Sequence, residues 1–249
     1  MGVNGTSALA ARWVLPDLII RGRATDVTLE VYQSGARQTL SSVTVVVTRA
    51  DGTTFASGAG TLSDSDRTAT YSVTGTTSES LADGWRVTWT ATVGGVVYDW
   101  ANEAMLVRQT LAPVLADADL FTRVSSLDPS GSTPITAQAD FQSYRDEAWI
   151  EIQQRMIQAG NRPALVMSPT ALRGVHMELS LALIFEDLST RLNEAYESRA
   201  QQYRRQYAER WRSLTFRYDA DENGSVDDAR RRRGHGTLWL SGGRGRSTL

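Results

Sequence analysis

His176 and His235 are the only imidazoles in this chain of 249 residues. All 26 basic residues are arginine and cysteine is absent, which closes Schiff-base catalysis, thiol nucleophiles, thiolate zinc sites and disulfides. His176 lies beside an apolar stripe and suits a hydrogen-bonded packing residue. The carboxylate nearest to it in sequence, Glu178, is two residues on and points elsewhere on a helix. Glu186-Asp187 imitates a carboxylate pair for acid and base work, yet adjacent helical residues diverge. Asp219, Asp221, Asn223 and Gly224 are spaced like the start of a calcium loop of the EF-hand type, where oxygens recur at alternate positions. Arg230 stands at position twelve, which needs a bidentate glutamate, so a turn capped by Asp and Asn side chains is expected instead. The run Gly242-Gly243-Arg244-Gly245-Arg246 opens no helix and lacks the geometry that cradles a phosphate. With no nucleophile beside a base, the chain reads as not an enzyme, with no cofactor and no metal site expected.

The elements around these residues change character near residue 111. Before it, Val27, Leu29 and Val31 alternate with Thr28, Glu30 and Tyr32, the period-two pattern of a half-buried strand. Val43, Val45 and Val47 repeat it up to Asp51-Gly52, a pair that tolerates a tight hairpin. Ala69, Tyr71 and Val73 form a shorter strand. Trp85, Val87, Trp89, Ala91 and Val93 point one way, Gly94-Gly95 turns the chain into a strand from Val96 to Trp100, and a last strand fits Ala104 to Val107. About seven short strands predict an antiparallel immunoglobulin-like sandwich over 1–110, a pattern that a small barrel would share. Trp85 and Trp89 share the valine face, which places them in the core rather than on an adhesive surface.

From 112 to 218 the period is helical. Pro134 and Thr136 can open a helix whose stripe runs through Phe141, Tyr144, Ala148, Ile152, Met156 and Ala159, with Gly160 ending it. Ser168-Pro169 caps a second helix in which Leu172, Val175, Leu179, Ala182 and Leu183 face inward, and Leu181, Ile184, Phe185 and Leu188 widen the stripe almost to the full circumference. A third runs from Leu192 to Leu214 through Tyr196, Ala200, Tyr203, Tyr207 and Trp211, with an Arg-rich opposite side. The sequence therefore predicts a small helical bundle. Residues 219–249 follow as a flexible arm: acidic first, then Arg230, Arg231, Arg232 and Arg233, with Leu238, Trp239 and Leu240 set between glycines. Such a segment buries too little apolar surface to order itself, and the triplet suits an anchor that orders against a partner, for example by adding a strand to its sheet.

The formal net charge is -2, which argues against a wholly basic nucleic-acid binder. The apolar stretch from Ala8 to Ile20 is broken by Arg12, Pro16 and Asp17, so no signal peptide is expected. No apolar run reaches the roughly 18 residues that span a bilayer, and no membrane association is expected.

The helical part resembles the head-to-tail connector, or adaptor, proteins of long-tailed bacteriophages. The resemblance lies in Leu115-Ala-Asp-Ala-Asp-Leu-Phe121, the Tyr144–Ala148–Ile152 stripe, the Leu179–Leu188 helix, the Tyr196–Trp211 helix and the polar tail, and covers 112–249. It implies a structural virion protein made in the host cytoplasm and placed at the neck, between head and tail. Its homo-oligomer would be a ring of about twelve copies beneath the portal protein, above a tail terminator or stopper protein. Such a ring extends the channel through which DNA passes without sequence specificity. The resemblance also implies that Arg230–Arg233 with Leu238, Trp239 and Leu240 form an arm that inserts into portal subunits. The added β domain departs from the simplest members, which leaves another neck, collar or tail structural role, or a surface-adhesion β module, as the alternative.

Overall fold

The computed structural model describes residues 8–75, 77–138 and 140–226, and the backbone of 228–232. By the density of its internal contacts the chain divides into two units. One comprises the residues up to Ala112 together with Pro163–Leu165, the other Pro113–Arg162 and everything from Val166 on.

The first unit is β-rich. Its strands are β1 (Ala10–Ala11), β2 (Asp17–Ile20), β3 (Ala24–Gln33), β4 (Ala36–Arg37), β5 (Ser41–Thr48), β6 (Thr54–Ala59), β7 (Thr61–Ser63), β8 (Thr68–Thr74), β9 (Ala82–Val93) and β10 (Val96–Val107). They form two sheets, one in the order β1-β3-β8-β7 with β4 also on β3, the other in the order β2-β10-β9-β5-β6. Alternation decides which side chains face in. Val27, Leu29 and Val31 of β3 meet Val43, Val45 and Val47 of β5 and Trp85, Val87, Trp89 and Ala91 of β9 in one core. Gly94 and Gly95, both at positive φ, make the two-residue turn between β9 and β10, as expected for a primed hairpin turn.

Two features depart from the sequence reading. β10 is one continuous strand from Val96 to Val107: Ala101, Asn102 and Glu103 pair in regular register with Thr88, Val87 and Arg86 of β9, and the register irregularity lies further on, between Ala104 and Leu106. The interrupted stretch before Ile20 supplies β1 to the first sheet and β2 to the second, where β2 runs parallel to Ala104–Val107 of β10.

Among the described residues the second unit holds four α-helices: α1 (Asp117–Arg123), α2 (Gln142–Gln158), α3 (Arg173–Arg191) and α4 (Glu197–Ser213). The Asp119 carboxylate accepts the Ala116 backbone N–H at 2.9 Å and fixes the start of α1. α2 begins later than Pro134 and Thr136 suggest. Asp140, just before the N-cap Phe141, accepts the Gln142 N–H through Oδ1 at 2.5 Å and so turns the chain into the first helical residue. Gly160, at φ 74°, turns the chain after it. Pro169 opens a 3₁₀ turn, Pro169–Leu172, that leads into α3. α3 is buried on nearly every side through Val175, Leu179, Leu181, Ala182, Ile184, Phe185 and Leu188, whereas Leu183, expected inward, is only half-buried.

The last helix is shorter than its apolar stripe. Asn193 accepts the Ala195 N–H at 2.8 Å and starts a separate 3₁₀ turn, leaving Leu192 exposed. After Trp211 and Leu214 the chain extends as β11 (Thr215–Tyr218), which pairs antiparallel with β12 (Asp228–Arg232). The arm expected to lack structure from 219 therefore starts within an ordered hairpin. Asp219 is buried and accepts the Gly224 N–H at 2.9 Å, Asp221 accepts from Asn223, and Asn223 from Ser225. This is the Asp- and Asn-capped turn anticipated in place of a calcium loop.

Candidate functional site

In the helical unit, the residues with chemical potential are consumed by packing. His176 on α3 is fully buried, its Nε2–H donates to the Arg145 carbonyl at 2.8 Å, and its ring packs at a tilt of 39° against Trp149 with centroids 4.8 Å apart. Burial pushes the imidazole below its ordinary value, so it is neutral at pH 7. Arg145 in turn bonds the Asp117 carboxylate at 2.9 Å, the Leu115 carbonyl and the Gln142 amide oxygen, joining α1 to α2. Asp119 likewise reaches α3 through Arg173 at 2.6 Å.

Glu186 and Asp187 diverge, as adjacent residues on a helix must. Glu186 takes Arg204 of α4 at 2.6 Å, while Asp187 accepts the Tyr144 hydroxyl at 2.7 Å and Arg191 at 2.8 Å. Arg204 also meets Glu151 of α2, so one guanidinium ties three helices together. Glu178 is the residue that sequence reasoning undervalued. It is buried, with Arg210 3.2 Å and Arg123 3.7 Å from Oε1, and its Oε2 has no hydrogen-bond partner among the described residues. Burial raises its pKa and the two arginines lower it in part. Beside Arg210 opens a shallow cleft of about 300 Å³ bounded by Gly174, Val175, Ser213, Leu214 and Thr215. Only the matched spacing of Glu178 and Arg210 across separate helices makes this group, which no local motif could signal.

Among the described residues no group of three or more His, Asp or Glu side chains could hold a metal ion. No helix of the described residues is long and apolar enough to cross a membrane.

Of the arm residues, Arg230, Arg231 and Arg232 lie in β12, with Arg231 opposite Phe216 and Arg232 opposite Thr215. Arg233, Leu238, Trp239 and Leu240 lie outside the described residues.

The β-rich unit carries an exposed edge whose position the sequence alone did not specify. β2 pairs with β10 only over Ala104–Val107, so along Val96–Glu103 the side of β10 away from β9 has no strand partner among the described residues. Val96 is 53%, Val97 63% and Tyr98 36% exposed, and Tyr98 stacks on Trp100 with centroids 5.6 Å apart. Asp99 accepts the Thr90 hydroxyl at 2.5 Å, and Glu103 sits opposite Arg86. The available signal was the Val96-Val97-Tyr98 run, apolar at both parities and therefore unable to hide on a single face.

No family model and no curated protein matches the chain. Solved structures similar to parts of it include an engineered protein, at 24% identity over 41% of this chain and 20% of that one, with a TM-score of 0.29. CopC from Methylosinus trichosporium OB3b is similar at 13% identity over 36% of this chain and 82% of that one, with a TM-score of 0.29. The endo-beta-1,4-mannanase from Thermotoga petrophila is similar at 9% identity, a TM-score of 0.29, and 43% and 21% coverage. The chain thus spans about a fifth of the first and third of these proteins, and similarity at this level carries no functional argument.

Proposed function

We propose that this chain is a structural virion protein of a long-tailed bacteriophage. It forms a ring beneath the portal, joins the DNA-filled head to the tail and extends the DNA channel. One observation supports the reading: the separate stretches that carry the connector resemblance contribute to a single core. Leu120 and Phe121 of α1, Tyr144 of α2, Leu181, Ile184, Phe185 and Leu188 of α3, and Tyr196, Ala200 and Tyr203 around α4 pack together. Arginine pairs then lock the four helices in place, which suits a rigid subunit rather than a catalyst.

In this reading the β-rich unit is an immunoglobulin-like sandwich. The order β1-β3-β8-β7 reproduces the A-B-E-D sheet of that fold, and β10-β9-β5-β6 reproduces G-F-C with an added edge strand. A ring requires a heterologous contact, in which one face of a subunit meets a different face of the next. The residues beyond β12, with Arg233 and Leu238–Leu240, then serve as an arm that docks on a neighbouring virion subunit. Native mass spectrometry of the purified chain tests the assembly: closed species of about twelve copies are expected, and a monomer at every concentration contradicts it.

A further inference from the structure

We infer that the open edge of β10, from Val96 to Glu103, is the seat for the Leu238–Trp239–Leu240 segment of a second copy of this chain. The inference rests on the ring reading for its choice of partner, and it names the subunit on which the arm docks.

An edge strand presents unpaired N–H and C=O groups, and proteins usually blunt such edges with lysine, proline, bulges or a covering loop. Along Val96–Glu103 there is no proline and no basic residue; β2 pairs only from Ala104 on, and the Asn102 side chain already bonds the Leu15 carbonyl and the Asp17 carboxylate at that end, so the open part of the edge centres on Val96–Ala101. Its consecutive apolar side chains, Val96 and Val97, are exposed at the start of the strand, although Val93 and Ala91 opposite on β9 remain buried. An edge with these properties is a template for an added strand: main-chain bonds supply affinity and alternate side chains supply specificity.

The chain also contains a segment of matching chemistry. Thr237-Leu238-Trp239-Leu240 combines β-branched, aromatic and aliphatic residues, which favour strands. Its charged flanks are arginines alone, Arg233 before it and Arg244 and Arg246 after it, while the charges on the edge are Asp99 and Glu103. Beyond Arg232 each residue can add up to about 3.3–3.6 Å of reach. Because edge and segment are different surfaces, the contact is heterologous, and repetition around an axis gives a ring where the rotation closes.

The absence of native cysteine makes the test direct. Full-length Val97→Cys protein is mixed with full-length Leu238→Cys, Trp239→Cys or Leu240→Cys protein under mild oxidation. At least one pair is expected to give a mixed-chain disulfide as the main product, blocked by excess synthetic peptide spanning 233–249 but not by a scrambled peptide. Double-cysteine chains should cross-link between copies. Rings that form with no mixed disulfide in any pair, or double-cysteine chains that close only within one copy, overturn the seat and leave the adaptor reading standing. Cross-linked assemblies that fail to bind portal retain the seat and overturn the adaptor reading.

Discussion

Asp17 shows how one side chain can set the pH response of the β-rich unit. It opens β2, and Asn102 Nδ2–H donates to its Oδ2 at 3.0 Å. Burial outweighs that bond and raises its pKa from 3.8 to about 6. The folded state therefore holds the proton more tightly than the unfolded chain, and stability falls as pH rises from about 4 through about 6. At 1.36 kcal/mol per unit the cost above pH 6 reaches up to about 3 kcal/mol. Asp17→Asn keeps an acceptor for Asn102 and is expected to recover much of that cost at pH 7. Chemical denaturation at a series of pH values checks this; equal stability of variant and wild type at pH 7 would show a solvated carboxylate. His176 has the opposite sign. Its lowered pKa means that the unfolded chain takes the proton first, so the helical unit loses stability as pH falls below about 6.5. With two imidazoles in the chain, NMR titration can follow it directly, and a midpoint at or above the ordinary imidazole value would contradict the burial argument.

Among the elements, α3 bears the largest share of the helical core. Phe185 stacks on Tyr203 with centroids 5.6 Å apart and lies fully buried. Phe185→Ala is expected to cost about 3–5 kcal/mol. Leu192→Ala, just beyond the helix, should change stability by less than about 0.5 kcal/mol. Thermal melts of the two variants settle the comparison, and equal losses would mean that α4 continues through Leu192. The sequence made a β-rich region followed by helices legible, because periods of 2 and 3.6 follow from backbone geometry alone. Trp85 and Trp89 in the core, both glycine turns and the Asp-Asn turn after 218 were legible for the same local reasons. What escaped was non-local. β2 is held by its parallel register with β10 rather than by its own pattern, and Asn193 starts a separate turn that shortens a stripe whose apolar spacing continues to Leu192. Among the candidate residues, the turn after 218 could be read locally, whereas Glu178 with Arg210, and the uncovered edge of β10, exist only once separate segments meet.

The whole molecule joins a helical unit locked by arginine pairs to a β-rich unit whose β10 edge is unpaired among the described residues, and in the proposed reading both belong to a ring. Residues 1–112 expressed alone should give a β-type circular dichroism spectrum and a cooperative melt, since that unit has its own core. A spectrum without a folded transition would show that its core needs the rest of the chain. Truncation must spare β12, because removing everything after 218 also removes the partner of β11 and the turn that Asp219 organises. A chain ending at Arg232 should keep its helical spectrum while losing assembly. The most direct measurement is electron microscopy of the purified full-length protein mixed with the phage portal. The account predicts coaxial rings of about twelve copies on one end of the portal, with a channel continuous with its own. Portals left bare by a folded protein, or bound irregularly on their sides, would contradict it.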